Sequence, residues 1–161
     1  MRIAMAADHA GVELKDELIR CLHELGHQVT DLGTNTHEPV DYPDFADRAA
    51  EAVLSGAADR AIFTCGSGLG PAIAANKIPG IRAVTAHDPY SARYSRLDND
   101  ANFLSLGQRV IGPGLAKEIV HIWLETEFSG AERHRRRLEK IERLARAHAP
   151  CSPDTSASEK E

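Results

Sequence analysis

The most informative part of this chain is residues 61–70, which read Ala61-Ile62-Phe63-Thr64-Cys65-Gly66-Ser67-Gly68-Leu69-Gly70. The apolar run at 61–64 predicts a buried strand, and residues 69–76 predict a helix. Between them, glycines allow backbone N–H groups to approach a ligand closely. A helix N-terminus favours an anion, and a thiolate is an anion. Cys65 is therefore a candidate base beside a candidate oxyanion cradle, with a buried structural thiol as the alternative.

The same alternation of strand and helix runs through the rest of the chain. Apolar runs predict strands at residues 3–7, 28–32, 61–64, 82–86 and 103–106. Helices are predicted at residues 45–54, 69–76 and 89–97. Three further helices are predicted from apolar residues that share one helical face: Leu14, Leu18, Cys21, Leu22 and Leu25; Leu115, Ile119, Ile122 and Trp123; and Leu138, Ile141 and Leu144. Strands that alternate with helices form parallel sheets covered on both faces. We therefore expect an α/β protein with a three-layer α/β/α, Rossmann-like fold and a five-stranded parallel sheet.

Length and composition set the wider limits. The chain has 161 residues, which predicts one domain over residues 1–148 and a disordered tail over residues 149–161, where Ser, Pro and Glu are frequent. The net charge of −5 does not favour a nucleic-acid partner. No segment has the pattern of a membrane span or a signal peptide. Three cysteines (Cys21, Cys65, Cys151) without regular spacing argue against a disulfide framework, so we expect a cytoplasmic protein.

Polar residues follow three of the predicted strands. Asp8 and His9 follow the first strand, Cys65 follows the third, and His87 with Asp88 follows the fourth. Sites in parallel sheets form outside the carboxyl ends of the strands, which predicts that these residues share one edge. Each also has a structural interpretation, because Asp8 and Asp88 are good helix N-caps, and for His87 and Asp88 we favour it. The eight histidines are scattered without the spacing of a zinc site, so no metal is expected.

The glycine turn differs from two nucleotide-binding motifs. Gly66 and Gly68 match the start of G-x-G-x-x-G, but Pro71 occupies the third glycine position and the turn follows the third strand, not the first. A P-loop is favoured even less, because no Gly-Lys-Ser/Thr is present.

A basic cluster opens the last predicted helix. Arg133 and Arg137 are four residues apart and share a helix face, an arrangement that suits a phosphate group. The alternative is a solvated basic face paired with acidic neighbours (Glu132, Glu139, Glu142), and we assign Arg135 and Arg136 to that role.

Taken together, the motifs resemble the ribose-5-phosphate isomerase type B family over Met1 to about His148. The matching motifs are Asp8-His9-Ala10-Gly11, Asp41-Tyr42-Pro43, the turn at 65–70 with Ala74-Ala75-Asn76-Lys77, Gly80-Ile81-Arg82-Ala83, Tyr90-Ser91-Ala92, Asn99-Asp100-Ala101-Asn102, Gly107-Gln108-Arg109-Val110-Ile111-Gly112, and Arg133-His134 followed by Arg137. The wider family includes galactose-6-phosphate and tetrose-phosphate isomerases.

The resemblance implies an aldose–ketose isomerase that works through an enediolate without metal or cofactor. Cys65 falls on the position of the base, and the backbone of Gly66, Ser67, Gly68, Leu69 and Gly70 on that of the oxyanion cradle. The substrate-binding positions fall on Asp8, His9, Tyr42, Ser67, Asn99, Arg109, Arg133 and Arg137. The resemblance also implies a homodimer, or a dimer of dimers, with a shared site into which Asn99 and Arg109 reach from the second subunit.

One departure bears on the substrate. Many members carry a ring-opening histidine where this chain has Asp98. Asp98 replaces it only if burial or the neighbouring Asp100 keeps the carboxyl group protonated; otherwise His9 or His87 serves, or the substrate needs no ring opening. Ribose 5-phosphate, converted to ribulose 5-phosphate in the pentose phosphate pathway, is the first expectation, and a tetrose or tetrulose phosphate is the alternative. Outside the family, a phosphate- or nucleotide-binding module without catalysis, or a flavodoxin-like regulatory domain, would fit the fold.

Overall fold

The computed structural model describes residues 1–147, so the predicted tail at 149–161 and Cys151 lie outside the described residues. The strands are β1 (Arg2–Ala7), β2 (Gln28–Asp31), β3 (Arg60–Cys65), β4 (Ala83–Thr85) and β5 (Phe103–Gly107). The helices are α1 (Val12–Glu24), α2 (Tyr42–Leu54), α3 (Leu69–Ala75), α4 (Pro89–Leu97), α5 (Pro113–Glu125) and α6 (Glu132–Ala147).

The strands form one parallel sheet in the order β2-β1-β3-β5-β4, which confirms the predicted fold. Alternate residues of the central strands face opposite layers, as the period of a strand requires. Ile62 belongs to a core with α1, α4 and α5, and Phe63 belongs to a second core with α2 and α3. The central strand β3 is therefore buried on both faces, and it ends at Cys65, beside Gly107 of β5.

The structures of α1 and α2 differ in detail from the predictions. Helix α2 begins at Tyr42, three residues before the predicted start, because Pro43 lacks an N–H that the first turn would leave unpaired and its φ already suits a helix. In α1, Leu14, Leu18 and Leu22 are buried as predicted, but Leu25 caps the helix and is 43% exposed. Lys15 joins the buried face instead and is fully buried, which the apolar pattern did not predict.

Candidate active site

Cys65 forms the floor of a pocket at the carboxyl edge of the sheet. The thiol is 4% exposed, and its Sγ accepts the N–H of Gly68 over 3.0 Å. Burial raises the pKa of Cys65 above its ordinary value of 9.0, against the lowering effect of the Gly68 and Ser67 N–H groups. The negative charge of Asp8 adds a smaller increase of the same pKa. The free protein thus favours the thiol form at neutral pH and has N–H donors in place for the thiolate.

The glycine turn after Cys65 is held from behind by two polar side chains. Gly68 has a φ of +80°, and a Cβ there would lie 3.0 Å from the Gly107 nitrogen and 3.1 Å from Nε2 of His87. Thr85 Oγ1 donates to the Gly68 carbonyl over 2.7 Å, and the Gly107 N–H donates to His87 Nε2 over 3.1 Å. His87 therefore supports the turn from the loop that follows β4, and burial lowers its pKa.

Two amides of the predicted cradle have partners inside the turn. The Gly68 N–H points at the Cys65 sulfur, and the Leu69 N–H donates to Ser67 Oγ over 3.3 Å. These two N–H groups therefore orient the Cys65 thiol and the Ser67 hydroxyl. Gly70 faces the ring of Tyr42, which would lie 2.7 Å from a Cβ at that position, so only a glycine allows this close approach.

Asp8 and His9 extend the pocket from the end of β1. Asp8 is 8% exposed and its Oδ1 accepts the Ala10 N–H over 2.8 Å, whereas α1 is capped at Gly11 without a side-chain bond. The helix-cap interpretation of Asp8 is therefore wrong. His9 is half-buried, and its Nδ1 accepts the Val40 N–H over 3.2 Å.

The pocket has a volume of about 430 Å³. It is lined by Asp8, His9, Ala10, Tyr42, Cys65, Gly66, Ser67, Gly70, Pro71, Arg109 and Val110. Arg109 comes from the same chain as Cys65, because its guanidinium would lie 3.4 Å from a Cβ on Gly66. The expectation that Arg109 reaches in from a second subunit is thus wrong: the turn after β5 pairs with the glycine turn through the bond from the Arg109 N–H to the Gly66 carbonyl.

The other predicted site residues do not line this pocket. Asp98 ends α4, and its Oδ1 lies 3.5 Å from Nε2 of His134 in α6, a ring that is 5% exposed. The neighbouring Asp100 contacts Arg82 and Arg96 at 3.0 and 2.8 Å, so its charge is compensated by two arginines.

Asn99 lines a different cavity, a groove of about 850 Å³ between residues 76–84 and helix α6. Arg133 and Arg137 are exposed on α6, and within residues 1–147 neither has an ion-pair partner. The acidic partners proposed for them contact other arginines: Glu139 contacts Arg143 and Glu142 contacts Arg82. The predicted site residues of one chain thus form two separate groups.

Asp88 and His87 have the structural roles predicted for them. Asp88 caps α4 by accepting the Ser91 N–H over 2.7 Å, and His87 packs behind the glycine turn. Gln108 was missed by sequence reasoning: it accepts the Leu14 N–H over 2.9 Å and donates to Glu13, which joins the turn after β5 to α1. In the sequence, only its position between Gly107 and Arg109 indicated that Gln108 lies near the site.

No cluster of three or more His, Cys, Asp or Glu side chains suited to a metal ion occurs in residues 1–147. Over the same range, none of the helices is both long and apolar enough to cross a membrane.

The fold and pocket define the class: a parallel α/β protein with a buried thiol, N–H donors and a guanidinium at the carboxyl edge of its sheet. The sequence profile of the Ribose/Galactose Isomerase family matches residues 3–141, and the chain belongs to this family. It is a sugar-phosphate isomerase, which confirms the predicted enzyme class and sets aside the binding-module and regulatory-domain alternatives.

Curated relatives and solved structures resemble the chain over 81% to 92% of its length. Ribose-5-phosphate isomerase B of Escherichia coli (strain K12) is 48% identical over 87% of this chain and 93% of the relative. D-erythrulose-4-phosphate isomerase of Pectobacterium atrosepticum is 46% identical over 81% of this chain and 86% of the relative. The structure of Clostridium thermocellum ribose-5-phosphate isomerase B superposes with a TM-score of 0.90 at 50% identity, covering 92% of this chain and 100% of that chain.

Proposed function

We propose that this protein interconverts ribose 5-phosphate and ribulose 5-phosphate through an enediolate, with Cys65 as the base. The observation that carries the proposal is the buried Cys65 thiol, held by the Gly68 N–H at the floor of a pocket that also contains His9 and Arg109. Relatives named as ribose-5-phosphate isomerase B support the choice of sugar. The reaction belongs to the pentose phosphate pathway, and we place it in the cytoplasm.

Proton transfer follows from this arrangement. The Cys65 thiolate removes the proton from C2 of the open-chain aldose, and the C–H electrons form a C1–C2 double bond while negative charge moves to O1. A proton then passes from O2 to O1, and the thiol returns its proton to C1 while O2 forms the carbonyl of the ketose. The reaction has no net redox change, so a base and hydrogen-bond donors suffice without a cofactor. A positioned base contributes roughly 10²–10⁴-fold, and each oxyanion donor about 10²–10³-fold.

Substrate oxygens meet donors on two sides of the thiol. The backbone of Gly66, Ser67 and Gly70 and the Ser67 hydroxyl, which line the pocket, face the enediolate oxygens. Asp8 and Tyr42 contact the sugar hydroxyls. His9 and Arg109, which line the same pocket, supply donors for an anionic group of the substrate. Binding a phosphate away from the reacting carbons orients the sugar for proton transfer.

The second group of residues supports a homodimer with a shared site. Arg133 and Arg137 suit a phosphate but lie outside the pocket of their own chain, as do Asn99 and Asp98. On the same helix, Ile141 and Leu144 are 48% and 60% exposed. A second copy that covers this face would bring the Asn99 and arginine group of one chain to the Cys65 pocket of the other. A dimer of dimers would keep the same sites.

Asp98 favours a second candidate, a tetrose or tetrulose phosphate. A pentose 5-phosphate closes a furanose ring through O4, whereas in a tetrose 4-phosphate O4 carries the phosphate and no such ring forms. A site without the ring-opening histidine of other members therefore suits a four-carbon sugar. The relative named D-erythrulose-4-phosphate isomerase supports this candidate.

The deciding experiment compares kcat/KM for ribose 5-phosphate, erythrose 4-phosphate and erythrulose 4-phosphate in wild type and Asp98→His. The pentose proposal requires ribose 5-phosphate to be the best substrate of the wild type. A tetrose preference in the wild type, with pentose turnover raised by Asp98→His, would replace it with the tetrose candidate.

A further inference from the structure

Lys15 is a fully buried lysine that the mechanism above does not use. It lies in the first half of α1, and its Nζ donates to Oδ2 of Asp31 over 2.7 Å and to Oδ1 of Asn35. A buried ammonium group loses hydration that only charged or hydrogen-bonded partners can replace. Asp16 Oδ1 lies a further 3.5 Å from the same Nζ. Through Asp31 and Asn35, Lys15 ties the end of β2 to the segment that follows.

That segment, residues 33–40, is held at both of its ends. At its start, the Gly33 N–H donates to Asp31 Oδ1 over 2.9 Å, and Gly33 and Thr34 exchange backbone bonds with Ala7 at 2.6 and 2.8 Å. At its end, the Val40 N–H donates to Nδ1 of His9 over 3.2 Å. The segment therefore connects the buried Lys15 to the imidazole of the pocket.

The bond from Val40 determines which ring nitrogen of His9 carries the proton. A backbone N–H can only donate, so Nδ1 must be the unprotonated acceptor in the neutral ring. The proton then resides on Nε2, and this tautomer leaves Nε2–H free to donate to an anionic oxygen. Arg109 lines the same pocket and favours such an oxygen.

We propose that Lys15 is a positioning residue that, through Asn35 and Val40, fixes the tautomer and orientation of His9 so that Nε2–H donates to the anionic group of the substrate. The role of that anionic group rests on the proposed function. Lys15 itself touches no substrate, and its effect passes through residues 33–40.

The test uses variants that keep Lys15 in place, because removing a buried lysine can prevent folding. Asn35→Ala deletes one acceptor at an exposed position, and Asn35→Asp keeps an oxygen there. Val40→Pro removes the N–H that His9 accepts. Glu38→Ala, an exposed change on the same segment, is the matched control.

Each variant is studied by two measurements, an NMR spectrum and a phosphate titration. Long-range ¹H–¹⁵N correlation spectra at about pH 8.5, where an ordinary histidine is neutral, report the His9 tautomer, with His9→Gln used for assignment. Titration with inorganic phosphate reports the affinity of the pocket for an anion. We expect Nε2–H in the wild type, Asn35→Asp and Glu38→Ala, and a mixed population in Asn35→Ala and Val40→Pro with phosphate affinity lowered roughly three- to tenfold.

Three results would overturn the inference: an Nδ1–H tautomer in the wild type, an unchanged tautomer in Val40→Pro, or an altered tautomer with unchanged phosphate affinity. A lower Tm in Asn35→Ala with the same spectrum and affinity would also do so, since it would make Lys15 purely structural. If the spectra and affinities follow expectation while no sugar phosphate is turned over, the proposed function fails and the inference stands.

Discussion

Cys65 is the residue on which the proposed chemistry depends most directly. Cys65→Ala removes the base and should lower kcat/KM by roughly 10²–10⁴-fold, with the fold intact. Cys65→Ser should also be poor, because a hydroxyl group is a far weaker acid than a thiol. Steady-state assays with circular dichroism check both variants, and Cys21→Ala on α1 is the control. Activity of Cys65→Ala within about twofold of wild type would remove Cys65 from the mechanism.

The raised pKa of Cys65 predicts an alkaline limb in the pH profile. Only the thiolate is a base, so kcat/KM should rise as pH approaches and passes the ordinary thiol value of 9.0. The same shift has a stability effect of defined sign. Folding favours the thiol, so this contribution is complete below the pKa of the unfolded thiol and is lost as pH rises through the folded pKa.

Thiolate absorbance at 240 nm, measured as wild type minus Cys65→Ala, locates the titration. The stability difference between the two proteins should shift against the wild type in the same alkaline range. A midpoint below neutral pH would contradict the assignment of burial as the main cause.

Among the elements, the turn before α3 depends on the conformation of Gly68. Its φ of +80° strains any other residue, and a Cβ would lie 3.0 Å from the backbone of Gly107. Gly68→Ala should therefore lower the free energy of unfolding by about 1–3 kcal/mol and misplace the N–H that holds the thiol. Gly114→Ala in α5, where a Cβ meets nothing within 4 Å, is the matched control and should not destabilise. Equal losses in both, by urea unfolding, would refute this account.

Helix α6 carries two arginines that we expect to bind phosphate and two that we expect to be solvated. Arg133→Ala and Arg137→Ala should each weaken the binding of a phosphorylated substrate by roughly tenfold or more, because each removes a charge-assisted hydrogen bond. Arg135→Ala and Arg136→Ala lie on the same helix and should have small effects. KM and competition by inorganic phosphate measure this difference. Equal effects of all four changes would indicate a diffuse basic surface instead of a phosphate site.

For the whole molecule, the separation of the two residue groups predicts complementation between subunits. A heterodimer of Cys65→Ala with Arg137→Ala would contain one doubly altered site and one intact site, and should regain about half of wild-type activity. Co-expression with two affinity tags isolates this species. Cys65→Ala with His9→Ala is the control, because both residues line one pocket and neither site is restored. No recovery in the first pair would place the complete site within one chain.

The alternation of apolar runs and amphipathic faces was sufficient to predict the sheet, its parallel strands and the edge where the site lies. Buried parallel strands need continuous apolar runs, and residues 61–64 have one. Asp8 follows β1 and Cys65 ends the neighbouring strand β3, so strand order alone brings them together once the sheet forms. The cap that Asp88 forms on α4 could also be predicted from the sequence, because a helix cap depends on residues close in sequence.

Contacts between distant segments were decided only by the tertiary structure. Arg109 lines the pocket of its own chain because β5 lies next to β3. No local sequence pattern indicates whether a side chain contributes to the site of its own chain or to that of a second subunit. Lys15 is buried because Asp31 at the end of β2 and Asn35 in the following segment accept its hydrogen bonds, although its charge predicts exposure. Sequence periodicity reports which face of an element is apolar, whereas the partner of a buried charge depends on how the elements pack in three dimensions.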